Sequence, residues 1–323
     1  TLLIGRAFSS PPQVEKNKTV PCSLTEKEGR QIKHISQPGG YPALDAFRLI
    51  AAILVIAIHT SPLSDISSTA DFILTRIIAR IAVPFFFMTS GFFLFKDGTD
   101  KEKLKKFLKS TAILYAVSII LYLPVNIYSG YFSTDMLLPN IIKDLIFDGT
   151  FYHLWYLPAA LLGSIIAWLL IDKLGSQKAA AITLALYVIG LFGDSYYGLT
   201  AQAPALKCIY GHIFEIFDYA RNGLFFAPIF FVAGALAQNI RISRLKSALI
   251  ACGAFALMLF EGLLLHRAQY QRHDSMYIML VPCVLFLFLL LMSVRGKRFK
   301  LLRDMSVYIY PASYGYNSSA RSS

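Results

Sequence analysis

Apolar residues run along this chain in blocks of close to twenty, separated by short stretches where charge, glycine and proline collect. Blocks of that length match a hydrocarbon layer of ~30 Å at ~1.5 Å rise per residue, so each predicts a transmembrane helix. Eight complete spans are expected, over about 46–63, 73–95, 107–128, 153–171, 179–197, 223–239, 248–265 and 275–294. A ninth begins near Leu302, in LLRDMSVYIY, and dissolves into PASYGYNSSARSS, whose Ser, Gly and Asn cannot span. The sequence lacks the alternating ten-residue segments of a membrane β-barrel. The expected fold is therefore all-α: a polytopic, multi-pass transmembrane helix bundle, with the lipid bilayer as its first partner. Residues 41–310 are expected to form one membrane domain, 1–40 a polar disordered cytoplasmic tail, and 311–323 a disordered or aberrant end. The chain starts on Thr1 without the basic region, apolar run and cleavage site of a signal peptide. With the abrupt last residues, this reads as a fragment or a frame-altered sequence at one or both ends.

Composition agrees, with 56% hydrophobic and 15% charged residues and a mean hydropathy of +0.55. The net charge of +12 would suit nucleic acid in a soluble protein. Here its distribution gives a better account, because cytoplasmic loops of membrane proteins are enriched in Lys and Arg. With the N-terminus in the cytoplasm, the inside segments 1–45, 96–109, 172–178, 240–247 and 295–303 hold 22 basic residues. The outside loops 62–75, 129–152, 194–221 and 266–274 hold 5. No nucleic-acid partner is expected. The four cysteines, Cys22, Cys208, Cys252 and Cys283, show neither a CxxC spacing nor a metal-ligand pattern, and no metal is expected.

Against this background a few polar residues stand out. DAFRLIAAILVIAIHT places Arg48 and His59 eleven residues apart, 20° beyond three full turns of a helix, and so on one face about 16 Å apart along the axis. Asp45 lies on nearly the same stripe. A lone charge in hydrocarbon costs ~2.5–3.5 kcal/mol on insertion scales, so such residues face a protein interior or a watery cavity. In TRIIARIAVPFFFMTSGFFLF, Arg76 and Arg80 are four apart near the outer end. They either snorkel to headgroups or continue the polar seam, Arg80 being the deeper. Pro84 can open the backbone ladder, and Ser90–Gly91 permit close helix packing. The loop KDGTDKEKLKKFLKSTAILY carries six lysines. Lys105, Lys106 and Lys109, at the mouth of the next helix, suit either topology anchoring or a polyphosphate.

On the outer side, FYHLWYLPA offers His153, Trp155 and Tyr156, GDSYYGL offers Asp194, and DYARNGLFFAP offers Asp218, Arg221 and Asn222. Trp155 and Tyr156 also fit an aromatic belt; together these groups could line a polar acceptor site. The sequence contains no Gly-x-Ser-x-Gly elbow, HExxH or P-loop. Catalysis, if present, then uses a base without a protein nucleophile, and a buried imidazole such as His59 suits a general base toward a hydroxyl.

FRLIAAILVIAIHT resembles the Arg-x10-His signature on the first helix of the membrane-bound acyltransferase-3 family, and RIAVPFFFMTSGFFLF resembles that family's second-helix motif. More narrowly, AVPFFFMTSG, YHLWYLPA, GDSYYGL and RNGLFFAPIF resemble the membrane half of the vancomycin-cluster membrane serine racemases (VanT type). The resemblance covers about 41–310. It implies that Arg48 and His59 take the family's essential roles. It also implies acyl-CoA as a cytosolic co-substrate, with no permanently bound cofactor, and acyl transfer to a small polar or glycan hydroxyl across the membrane. The third helix of many members begins with two arginines three apart, where this chain has KLKKFLK; lysine is a point charge rather than a bidentate fork. No pyridoxal-phosphate racemase domain and no further family helices are expected after Tyr310. Two functions follow. In the first, an O-acyltransferase uses His59 as base; Arg48, Lys105, Lys106 and Lys109 hold the phosphate and pantetheine side, and Arg80 orients charge deeper in the seam. Arg76, His153, Trp155, Asp194 and Arg221 bind the acceptor. In the second, the chain carries L-serine or another small polar solute, possibly with a racemase partner.

Overall fold

The computed structural model describes residues 40–128, 130–133, 137–150, 154–294 and 296. His153, the tail before Gly40, the expected ninth helix and the stretch 311–323 lie outside the described residues. Among the described residues every regular element is helical, and extended backbone pairs only at a Gly40–Gly296 bridge. Five helices are long and apolar enough to cross a membrane. They are α1 (Pro42–Thr60), α2 (Ser68–Leu94), α3 (Lys101–Tyr128), α5 (Tyr156–Gly193) and α9 (Arg244–Ala268). Shorter helices complete the set: α4 (Leu137–Lys143), α6 (Tyr197–Gln202), α7 (Pro204–Ile216), α8 (Ala227–Ala237) and α10 (Leu280–Met292).

The stretches expected at 153–171 and 179–197 lie end to end in α5, which breaks at Gly175 (φ 79°, ψ 160°) inside DKLGSQK. Only glycine takes that backbone conformation at low cost. The segment 194–221, expected as an outer loop, contains α6 and α7. Pro204 occupies the first turn of α7, where its missing N–H costs nothing. Tyr210 is the buried residue of α7 and donates to the Ile189 carbonyl at 2.6 Å. Lys, His and Glu interrupt the apolar residues of α7, so its pattern is that of a surface helix rather than a span.

The short helix α8 is the hub. Its 11 residues cover only about 16 Å, half of a hydrocarbon layer, yet every residue except Leu236 is buried. Protein rather than lipid surrounds it. A Cβ on Gly91 of α2 would collide with the Phe231 carbonyl, and one on Gly234 would collide with the Met88 carbonyl. The backbones of α2 and α8 therefore touch. Such close approach is how helices associate where lipid tails are as apolar as leucine. On the other flank, a Cβ on Gly163 of α5 would come within 2.6 Å of Ala227 Cβ. Aromatic rings seal the layer around the hub: Phe87 stacks on Tyr156 at 4.8 Å, and Phe226 meets Phe230 edge-on at 5.1 Å.

Three segments around the C-terminal end of α1 are not regularly wound. In α2 a π turn (Ile73–Ile77) runs straight into a 3-10 turn (Ile78–Ile81). Before α8 the chain is irregular from 217 to 226, so this helix starts four residues later than its apolar pattern suggests. Before α10 it is irregular from 270 to 277, and α10 starts at Leu280 rather than near 275. Irregular backbone at membrane depth persists only where its polar groups are satisfied by protein or line a cavity. Asn222 satisfies the first break: its Oδ1 accepts from the N–H of Leu224 and Phe225, and its carbonyl from those of Phe226 and Ala227. Two carboxylates satisfy the second. Asp194 accepts from the N–H of Ser275 (2.7 Å) and Met276 (3.0 Å), and Glu261 from those of Ile278 (2.6 Å) and Met279 (3.1 Å).

Candidate functional site

The three irregular segments converge on one cavity of about 30 Å³. Helix α1 contributes Val55, Ile58 and His59, and the tightly wound part of α2 with its continuation contributes Ala79, Arg80, Val83 and Pro84. Trp155 and Tyr156 come from the start of α5, Arg221 and Phe226 from the break before α8, and Ser275 from the break before α10. At ~10–15 Å³ per water, the space holds about two waters or one small polar group.

Its polar groups are held from behind. Arg221 is buried, and its guanidinium lies 5.1 Å from the centre of the Trp155 ring and 4.6 Å from that of Tyr219. Its Nη1 donates to Ser275 Oγ at 3.4 Å. Ser275 is in turn fixed by the Asp194 carboxylate, which also accepts from Ser195 Oγ at 3.0 Å. Tyr219 is held through its N–H and that of Asp218, both donated to Asp148. Burial pushes the Asp148 carboxyl up to about 6. The oxygens of Asp144, Asp148 and Asp218 lie within 4.8 Å of one another, the spacing of a cation site. However, Asp148 is committed to two backbone N–H groups and Asp218 to the Lys143 ammonium at 2.7 Å, so the cluster clamps the loop below Arg221. Next to Tyr219, at 4.6 Å between ring centres, stands His273. Burial and then the charges of Arg221, Arg272, Arg80 and Arg76 push its imidazole down to about 4. The surroundings of His273 are therefore strongly cationic, and His273 is neutral at physiological pH.

The residues singled out in the sequence separate into groups. His59, Arg80, Trp155 and Arg221 meet at the cavity. Arg76 and Arg80 do not stay together, because the π-to-3-10 change between them alters the angle per residue. Arg80 is buried, whereas the Arg76 side chain is 39% exposed and faces Asp274 at 4.0 Å. The carbonyl of Arg76 instead accepts from Tyr277 Oη at 2.8 Å. Asp194 is fully buried but does not line the cavity; it acts through Ser275. Arg48 is buried, paired with Asp45 at 3.0 Å and 5.7 Å from the Phe93 ring, and lies outside the cavity lining. Lys105, Lys106 and Lys109 are exposed on the first turns of α3, and Lys105 reaches Glu102 at 2.8 Å. His153 lies outside the described residues.

Sequence reasoning missed Ser275 and His273. Their only cue was the polar run QRHDS between two apolar blocks, which reads as an ordinary outer loop. Tyr156 and Trp155, explicable as an interfacial belt, instead form cavity wall.

Residues 41–315 match the family model described as an acyltransferase domain, the acyltransferase-3 family. The chain is 52% identical over 269 residues to an amino-acid racemase of Enterococcus faecalis, covering 83% of this chain and 38% of that protein. It is 39% identical over 277 residues to a second amino-acid racemase of Enterococcus faecalis, covering 83% of this chain and 40% of the relative. With a serine/alanine racemase of Enterococcus gallinarum it shares 34% identity over 276 residues, covering 83% and 39%. The chain thus spans about two fifths of the length of the curated relatives it matches. No solved structure matches it.

Proposed function

The chain belongs to the acyltransferase-3 family, and on that premise we propose that it transfers an acyl group from cytosolic acyl-CoA to an acceptor hydroxyl at the outer cavity. The observation that carries this reading is the meeting of His59 with Arg80, Arg221 and Ser275 in one cavity. A general base must stand within hydrogen-bond reach of the proton it removes, and an oxyanion needs donors fixed beforehand. In the proposed step the acceptor oxygen attacks the thioester carbonyl while His59 takes its proton. The tetrahedral oxyanion forms next to a guanidinium. It then collapses, breaking the C–S bond, and His59 returns the proton to the departing thiolate. The products are an ester and free CoA-SH.

On this reading the protein is multi-pass with its N-terminus inside. Support comes from the basic-residue asymmetry and from five long helices, one broken at Gly175, with α8 and α10 as short buried partners. Arg48, Lys105, Lys106 and Lys109 would then meet the nucleotide and pantetheine end of acyl-CoA at the inner mouth, with no resident cofactor. The exposure of the lysines suits a diffusible polyanion. Arg76, His153 and Asp194 would serve the outer approach, Asp194 by holding Ser275.

The relatives' names favour a second reading, in which the domain carries a small amino acid such as L-serine for a racemase partner. Thioester consumption separates the two. Purified protein in nanodiscs, given acetyl-CoA and candidate hydroxyl acceptors, is expected to release CoA only with an acceptor present. Serine uptake by proteoliposomes without any CoA release would contradict the transferase reading.

A further inference from the structure

The cavity lining carries two arginines and a histidine, and no acidic side chain is among its described residues. Arg80 and Arg221 are 7% and 4% exposed, so both guanidinium groups act where water screens them little. Asp194 lies behind the lining and its Oδ1 is spent on two backbone N–H groups and the Ser195 hydroxyl. The described polar side chains of the lining are thus cationic or neutral. Such a lining suits an anionic group and disfavours a neutral sugar. Size allows it: about 30 Å³ holds a group of a few heavy atoms such as a carboxylate, and the cavity is open on one side to the rest of a small molecule. Trp155 holds the Arg221 plane by cation–π contact at 5.1 Å, and the planar geometry of a guanidinium matches a carboxylate.

The geometry points to a carboxylate seat between Arg80 and Arg221, so that the molecule entering this cavity is a small hydroxy-carboxylate whose hydroxyl faces His59. The hydroxyl part rests on the acyl-transfer reading; the carboxylate part does not. Ser275 contributes its hydroxyl at the rim of the seat, 3.4 Å from Arg221 Nη1. His273, 4.6 Å from the Tyr219 ring that also faces Arg221, feels the same positive field.

The test is equilibrium binding to the full chain in nanodiscs, without acyl-CoA, using glycerate and L-serine as probes and glycerol and serinamide as their carboxylate-free counterparts. Both carboxylates are expected to bind at least ~10-fold more tightly than their carboxylate-free counterparts, in line with a charge-assisted hydrogen-bond pair, and the neutral glycerol sets the comparison free of any ammonium charge. Arg221→Gln and Arg80→Gln should each remove that preference. Arg221→Lys, which keeps the charge and guards against misfolding as the cause, should retain part of it at an unchanged thermal midpoint. Carboxylate binding without any acylation would sink the transferase reading and leave the seat standing. Equal binding of glycerol and glycerate, or glycerate binding unmoved by Arg221→Gln in monodisperse protein, would overturn the seat, whether or not acyl transfer occurs.

Discussion

In the proposed orientation, the inner and outer ends of this molecule both present clustered cations, and the fold treats them in opposite ways. At the inner end Lys105, Lys106 and Lys109 ride the exposed face of α3, whose opposite face buries Leu104, Phe107 and Thr111. They are held by helical geometry alone, and charges so exposed are screened within ~8 Å at physiological salt. At the outer end Arg80 and Arg221 are buried where three helices lose their regular winding. There Asn222, Asp194 and Glu261 satisfy the freed backbone. Similar charge counts thus give a diffuse attractor on one side and a shaped site on the other. What distinguishes them is the interrupted backbone, which aims side chains from distant parts of the chain at one point.

The comparison breaks most visibly at His59. Replacing it with Ala should cut acyl transfer by ~10²–10⁴-fold at saturating acyl-CoA, the usual contribution of a general base, with expression and CoA binding unchanged. A loss confined to KM would assign His59 to binding alone.

The next effect is on stability. Asp194→Ala leaves the buried N–H groups of Ser275 and Met276 without their acceptor. Each such loss costs about 1–3 kcal/mol, so a fall of several degrees in the thermal midpoint in detergent is expected, together with weakened acceptor use as Ser275 drifts. Asp194→Asn keeps an acceptor oxygen and should cost less; equal midpoints for all three proteins would remove Asp194 from the supporting layer.

Smaller still is the inner cluster. Changing Lys105, Lys106 and Lys109 together to Gln should raise KM for acyl-CoA a few-fold and flatten its salt dependence, with kcat unchanged. A KM indifferent to salt in both proteins would reduce these lysines to topology signals.

How far the sequence shows all this depends on the kind of signal. Long apolar helices such as α1 and α3 are legible because burial in lipid imposes length and composition directly. The stripe of α1 is legible as well, because Pro42–Thr60 is regular and the ~100° step holds along it. Arg76 and Arg80 part company because a π turn meets a 3-10 turn between them, and no periodicity announces that change. The late starts of α8 and α10 are invisible for a related reason: the residues directly before them, 223–226 and 276–279, are apolar too, and only Asn222, Asp194 and Glu261, distant in sequence from some of the groups they satisfy, permit the irregular backbone there. Ser275 reaches the site by such a break, so its role could be read only once the chain was folded.

The least effect expected is one of pH. The His273 imidazole is pushed from 6.5 down to about 4, so the folded protein binds that proton less readily than the unfolded chain. Its contribution to stability is full above pH ~6.5 and is lost as pH falls from there toward about 4. Asp148, raised from 3.8 to about 6, acts in the opposite sense, its contribution being lost as pH rises through 6. The wild type should therefore lose thermal midpoint relative to His273→Gln on acidification, a difference that isolates the imidazole. Parallel midpoint curves for the two proteins would show that the cationic rim does not act on it.

The central claim is that the outer cavity is where a thioester is consumed, and one measurement addresses it directly. Wild-type and His59→Ala proteins in liposomes are given acyl-CoA on the inner side and a hydroxyl acceptor outside, and CoA release is followed alongside counterflow of radiolabelled serine. The account predicts acceptor-dependent CoA release that disappears with His59, and no serine counterflow dependent on His59. Serine counterflow that requires His59, with no thioester cleavage in either protein, would contradict it.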